Sequence, residues 1–285
     1  MPIRKILSLV AGRGHDDRVL DFAALLARRF DAHVEALLVR PNPRDAAPLF
    51  VEGMTGSAFE QIMEEIERDS AQAAAAAKDA YERWRDRHRL APAAGPGSAS
   101  AGWHEETGSE TDRLARRGRL ADLIVIGRPT EDRNGPSIIT AEAALLETGR
   151  PVALVPPGGV PAPPQRLAIA WNGSIEASRA VALAMPFIHR ADRVAIVTVD
   201  EASGLVQSAR ELADYLRWHG AEAQVEAVEP GGDGTGADIL GAAARLGTDL
   251  LVMGAYTHSR LRELIFGGAT LHILYEAPLP VLMVS

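Results

Sequence analysis

The sequence predicts an α/β protein of two tandem domains. Each is a five-stranded, mostly parallel sheet with helices on both faces. Three observations carry this. Short, continuous apolar runs recur along the chain, the pattern of strands buried on both faces of a parallel sheet. Helical patterns separate them, so strand and helix alternate, with right-handed crossovers expected. Five landmarks then appear twice in one order, the mark of a duplicated domain. The length of 285 residues suits two domains at roughly 150 residues each.

The first half opens on Lys5-Ile6-Leu7-Ser8-Leu9-Val10, read as a strand. A helical pattern follows through Val19, Leu20, Phe22, Ala23, Leu25 and Leu26. His33 to Val39 is the second strand, and 41–56 is a loop. Residues 57–90 form one long helical pattern of about 50 Å at 1.5 Å per residue. Phe59, Ile62, Met63, Ile66, Ala73, Ala77, Ala80, Tyr81 and Trp84 lie near one stripe. An extended packing helix and a docking arm for a partner both fit it. Residues 91–102 read as a flexible loop. Thr107-x-x-Glu110 is a capping-box pattern, and the helix it opens leads to Asp122-Leu123-Ile124-Val125-Ile126-Gly127. The half closes on Pro151-Val152-Ala153-Leu154-Val155.

Pro156 to Pro164 holds five prolines in nine residues. It can continue neither a helix nor a central strand, so it reads as a semi-rigid linker. The expected division is 1–157, linker 158–164, and 165–285. The second half repeats the landmarks. Arg166 to Trp171 and Arg193 to Val199 are strands; 180–188, 205–218 and 239–246 are helical. Thr235-x-x-Asp238 repeats the capping box, Asp249 to Gly254 the fourth strand, and Pro280 to Val284 the last.

Composition narrows the function. The chain is 47% hydrophobic and 24% charged, as an ordinary globular protein is. Zero cysteines remove disulfides, thiolate metal sites and a catalytic thiol. A net charge of −8 argues against a general nucleic-acid face. No apolar run approaches the ~20 residues of a membrane span. The N-terminus lacks the apolar stretch of a signal peptide. A cytoplasmic protein without nucleic-acid or membrane partners is expected. No acidic metal loop or His-Glu-x-x-His pattern appears. Gly231 to Gly236 is glycine-rich without a nucleotide fingerprint. His258 and Ser259 are adjacent and lack an orienting acid.

In open α/β sheets, ligands bind at the carboxyl ends of strands near the point where strand order reverses. In the second half that end continues Gly254-Ala255-Tyr256-Thr257-His258-Ser259-Arg260-Leu261-Arg262, then Gly267-Gly268-Ala269-Thr270. A helix is expected from near Gly268. Its N-terminus would offer free N–H groups to an anion. This loop resembles the universal stress protein family in its tandem two-domain form. The family pattern is Gly, two residues, Gly, nine residues, then Gly with Ser or Thr. Here Gly254 fills the first place, Thr257 stands at the second, Gly267 fills the third, and Gly268 stands at the hydroxyl position. The strand end Ala170-Trp171-Asn172-Gly173-Ser174 resembles the family's Asp-x-Ser, with Asn172 for the Asp.

The resemblance implies Rossmann-like domains of the adenine nucleotide alpha hydrolase-like type. It implies ATP or ADP, with Mg²⁺, in the second half. The implied site is Ala170, Trp171, Asn172, Ser174, Met253, Gly254, Thr257, Gly267, Gly268, Ala269 and Thr270. Ser174 is equally an expected helix N-cap. The function implied is a stress-response sensor or regulator rather than a catalyst, with weak ATP hydrolysis or self-phosphorylation left open. The alternative is a nucleotide-free interaction scaffold, its pocket filled by Tyr256 or Trp171. In the first half Ala11 stands at the Asp position, the late glycine pair is missing, and Glu131 and Asp132 would repel phosphate. That half is expected to bind no nucleotide, and its loop to pack against the other half. The family's last strands join across a two-fold axis. Strands 151–155 and 280–284 are therefore expected to pair within one chain as a pseudo-dimer. The long helix is a candidate surface for a homodimer.

Overall fold

The computed structural model describes residues 2–12, 16–42, 56–92, 97–130, 136–199, 203–255 and 268–285. In the first half the elements are β1 (Lys5–Val10), α1 (Asp16–Phe30), β2 (His33–Arg40), α2 (Gly56–Arg87), β3 (Ser100–Thr107), α3 (Glu110–Gly118), β4 (Leu123–Gly127), α4 (Ile138–Glu147) and β5 (Val152–Val155). In the second they are β6 (Arg166–Ala170), α5 (Ile175–Ile188), β7 (Arg193–Val199), α6 (Ser203–Trp218), β8 (Gln224–Val228), α7 (Thr235–Arg245), β9 (Leu250–Gly254), α8 (Gly268–Glu276) and β10 (Val281–Val284).

Among the described residues the strands form one sheet in the order β3-β2-β1-β4-β5-β10-β9-β6-β7-β8. Each half contributes five, and the order within one half repeats in the other. Pairing is parallel within each half. The exception is β10 against β5, which is antiparallel, with Val281 opposite Leu154 and Met283 opposite Val152. Both are four-residue strands buried throughout. Joining them leaves neither as an unpaired apolar edge.

Both faces of this sheet are covered, which is why its inner strands are mostly apolar without alternation. Side chains of both halves contribute to the cluster on each face. On one face Phe30 and Phe187 meet edge to face at 5.0 Å, and the Arg190 guanidinium lies 4.9 Å over the Phe30 ring. Near the end of β10, Ser285 Oγ donates to the Leu145 carbonyl at 2.7 Å.

The duplication extends to single atoms. The Asp122 carboxylate accepts from the backbone N–H groups of Arg4 and Lys5 at 2.8 and 2.9 Å. Asp249 does the same for Gln165 and Arg166 at 2.9 and 2.7 Å. Each Asp fixes where the first strand of its half begins beside the fourth.

The long helix α2 packs through Ala74, Ala77, Tyr81 and Trp84, all buried. Ala74 rather than Ala73 takes the stripe: Ala73 is exposed, and the buried residues Ala74, Ala77, Tyr81 and Trp84 follow one another at intervals of three, four and three, the spacing of one helix face. Arg40, the last residue of β2, donates to Ser70 Oγ at 3.3 Å. The turns before Ser70 therefore extend past the strand ends. The expected loop 91–102 is shortened at its end, since β3 begins at Ser100.

Both expected capping boxes are corrected. Thr107 is the last residue of β3; Ser109 caps α3, its Oγ accepting from the Asp112 N–H. Thr235 is the first helical residue of α7, after Gly234 at φ 91° with no side-chain cap. Asp238 instead accepts from the Gly231 N–H at 3.0 Å.

Candidate functional site

The carboxyl ends of β6, β7 and β9 meet the first turns of α7 and α8 around a pocket of about 100 Å³. The pocket lies beside β6, where the crossovers change direction: β7 is on one side and β9 on the other. That is the place topology favours for a ligand. Of the expected residues, Ala170, Trp171, Asn172, Met253, Gly254, Ala269 and Thr270 line it. Four more line it that the sequence did not single out: Val197, Val199, Thr235 and Ile239. The valines signal themselves only as alternate residues at the end of β7, next to β6. Thr235 and Ile239 are a helical turn apart at the start of α7.

Local chemistry places each group. Trp171 donates its ring N–H to Ser208 Oγ on α6 at 3.0 Å, so the indole stands as a wall rather than as a plug. The Asn172 Oδ1 accepts from the Ser174 N–H at 3.1 Å. This Asx turn lets the chain leave β6, with Gly173 at φ +71° beside it. Ser174 Oγ accepts from the Ala177 N–H at 3.1 Å. Ser174 is thus the N-cap of α5 and is not among the described residues that line the pocket. Gly268 is also outside the lining; it is exposed, and a Cβ there would meet nothing within 4 Å. Thr257 and Gly267, with Tyr256, His258 and Ser259, lie outside the described residues.

Gly254 is a glycine for a reason other than ligand approach. A Cβ on it would lie 2.5 Å from the Ala177 nitrogen and 2.6 Å from the Glu176 carbonyl carbon. The start of α5 packs directly on the end of β9.

The pocket wall is apolar, with two hydroxyls and one carboxamide. Among the described residues that line it none is titratable. The first turn of α8 adds N–H groups without intrahelical partners, at the positive end of the helix dipole. This donor set fits a flat apolar ring against Val197, Val199, Ile239 and Met253, and an anion toward Ala269 and Thr270. Among the described residues there is no cluster of His, Asp or Glu able to hold a metal ion.

The first half closes the equivalent place with its own side chains. Ser137 caps α4, and Thr140 Oγ1 donates to Glu110 Oε1 at 2.6 Å. A carboxylate thus stands at the helix N-terminus, where an anion would go. Pro136 and Val19 approach Gly127, and the Ala11 N–H is taken by Asp16 Oδ1 at 3.0 Å. Burial lowers the pKa of Arg128, which follows Gly127, and the Glu276 carboxylate of the second half acts to raise it. Glu131 and Asp132 lie outside the described residues.

Residues 165–285 match the model of the universal stress protein family. No curated protein matches the chain. Among solved structures, a universal stress protein from Archaeoglobus fulgidus DSM 4304 is similar over 99% of this chain and 96% of its own, at 16% identity and a TM-score of 0.66. A Pseudomonas aeruginosa UCBPP-PA14 protein, provisionally assigned to the universal stress proteins, is similar over 99% and 93%, at 15% identity and a TM-score of 0.57. At such identities the likeness shows the fold. No helix among the described residues is long and apolar enough to cross a membrane. Residues 165–285 therefore belong to the universal stress protein family, and the chain as a whole has the fold of universal stress proteins of similar length.

Proposed function

We propose that the second half binds an adenine nucleotide, ATP or ADP, and that the protein acts as a nucleotide-dependent stress regulator or sensor in the cytoplasm. One observation carries the reading: seven residues chosen from the sequence converge on one pocket at the carboxyl ends of the strands. The base would lie on the apolar wall and the phosphates at the start of α8. Mg²⁺ would be held mainly by phosphate and water. Among the described residues the lining has no titratable group and so offers no general base to activate water, which supports regulation over catalysis. The antiparallel β5–β10 pair supports a pseudo-dimer within one chain, and the exposed face of α2 remains the candidate surface for a homodimer.

One observation favours the scaffold alternative. The described residues enclose about 100 Å³, below the roughly 300 Å³ at which small-molecule sites begin. Equilibrium dialysis with ATP and Mg²⁺ separates the two. The wild type is expected to bind saturably below millimolar ATP. Gly268→Asp places a carboxylate at the first residue of α8, which favours the helix by its dipole while repelling phosphate. It is expected to keep or raise Tm and to lose ATP binding. No saturable binding by the wild type below millimolar ATP overturns the nucleotide reading.

A further inference from the structure

We infer that the second half carries another ligand site, at the opposite, amino edge of its sheet, for a small carboxylate with an apolar body. A cleft of about 540 Å³ opens there, within the range of roughly 300–1,000 Å³ typical of small-molecule sites. Ala195 and Leu246 give it an apolar floor; Arg166, Arg193, Asp192 and Glu222 are its charged groups.

The first half shows which chemistry suits this place. Lys5 pairs with His33 as Arg166 pairs with Arg193, so Glu35 and Ala195 hold the same position on the same face. Glu35 fills the space in the first half. Its carboxylate, 5% exposed, is 2.6 Å from Lys5 and 2.7 Å from Arg117. Arg117 stands six residues before Leu123, and the residue six before Leu250 is Ala244. The second half has therefore lost the internal carboxylate and one of its cations, each to alanine, and the cleft lies where they would be.

Two cations remain to receive a carboxylate from outside. Arg166 occupies the position of Lys5 and is 3.8 Å from Asp249, with its side chain 54% exposed. The Arg193 guanidinium makes no hydrogen bond or ion pair among the described residues. A carboxylate in the place of Glu35 meets these two, and an apolar body covers Ala195 and Leu246. Glu222 is 3.6 Å from Arg217. It and Asp192 are placed to receive an ammonium, so a plain acid and an amino acid share the carboxylate and differ at this second contact.

Titration calorimetry on the full chain with 4-methylpentanoate, leucine and neutral 4-methylpentanamide tests the site. At least one of the two carboxylates is expected to bind saturably, with the amide weaker by about tenfold or more, the loss of one charged contact. Leucine binding tighter than 4-methylpentanoate assigns Asp192 and Glu222 to the ammonium; the reverse order leaves the site to plain acids, and either order supports the carboxylate site. Ala195→Glu supplies the internal carboxylate of the first half. It is expected to abolish binding without lowering Tm at pH 7 and with ATP binding unchanged, which separates this site from the nucleotide pocket. Arg166→Gln, a surface change, is expected to weaken binding by about tenfold. The site is refuted by no saturable binding of either carboxylate up to about 10 mM, by equal binding of acid and amide, or by unchanged binding in both variants.

Discussion

The two halves share a fold and differ in where they keep their carboxylates. In the first, Glu35 closes the amino edge of the sheet and Glu110 the carboxyl edge, each held by partners from the same half. In the second, the position of Glu35 is Ala195. Glu110, thirteen residues before Leu123, is matched by Ala237, thirteen before Leu250. Each exchange to alanine accompanies a pocket at that edge of the second half. An anion built into the chain satisfies a cationic or dipolar place permanently, and its removal leaves the place open to an anion from solution. One half is thereby a self-filled copy of the other, which makes it an internal control for any claim of binding.

The largest expected effect tests whether matched glycines do matched work. Gly127 and Gly254 end β4 and β9. A Cβ on Gly254 meets the backbone of α5 at 2.5 Å, whereas on Gly127 it meets the Pro136 ring at 3.2 Å. Backbone cannot yield as a side chain can, so overpacking is severe at Gly254 alone. Gly254→Ala is expected to cost about 3 kcal/mol or more and Gly127→Ala about 1 kcal/mol or less, measured by urea denaturation. Equal costs would mean that α5 and the Pro136 segment are equally able to move.

Much of this architecture was legible in the sequence, for a physical reason. A strand buried on both faces is apolar along most of its length, so β1, β2, β4 and β5 and their counterparts announce themselves as runs even though β2 carries the buried Glu35. The edge strands β3 and β8 do not: Ser100 to Thr107 includes His104, Glu105 and Glu106, and Gln224 to Val228 includes Glu226. An edge is half solvated and tolerates charge. The pocket was legible where strand ends define it, at Ala170 to Asn172 and Met253 to Gly254. It was not legible at Thr235, because Thr-x-x-Asp reads as a capping box while Asp238 turns back to Gly231. The roles of Glu35 and Glu110 were hidden too. Their partners, Lys5, Arg117 and Thr140, lie 30 to 82 residues away along the chain, and no local pattern states such a contact.

Glu35 gives the next effect in size. Burial by itself would raise its pKa, but hydrogen bonds from Lys5 and Arg117 outweigh it, and the carboxyl is held below its ordinary value of 4.5. A lowered folded pKa stabilises the fold above the unfolded value and loses that contribution as pH falls through the folded one. Thermal unfolding of the wild type is therefore expected to weaken as pH drops below about 4. Glu35→Gln keeps the shape but not the charge. It is expected to cost about 2 kcal/mol at pH 7 and to flatten that acid limb. In the second half no such limb is expected from Ala195, and Ala195→Glu should create one. A Glu35→Gln protein with the wild-type acid profile would show that other carboxylates set it.

The smallest expected effect concerns how two matched helices begin. Ser109 caps α3 with its hydroxyl, while α7 starts after Gly234 with no side-chain cap and the exposed Thr235 already inside the helix. Loss of an N-cap costs about 1 kcal/mol, so Ser109→Ala is expected to show that loss in chemical denaturation. Thr235→Ala removes no cap and replaces a β-branched residue with the best helix former, so its stability should change by about 0.5 kcal/mol at most. Thr235 instead lines the pocket of the second half. If it hydrogen-bonds a bound nucleotide, Thr235→Ala weakens ATP by roughly 5-fold, a net hydrogen bond of about 1 kcal/mol. Ser109→Ala, in the half whose anion place is taken by Glu110, leaves ATP binding as it was. The pair thus exchanges its effects, stability in one half and affinity in the other. A Thr235→Ala protein that loses stability but not affinity would restore the capping-box reading and remove Thr235 from the site.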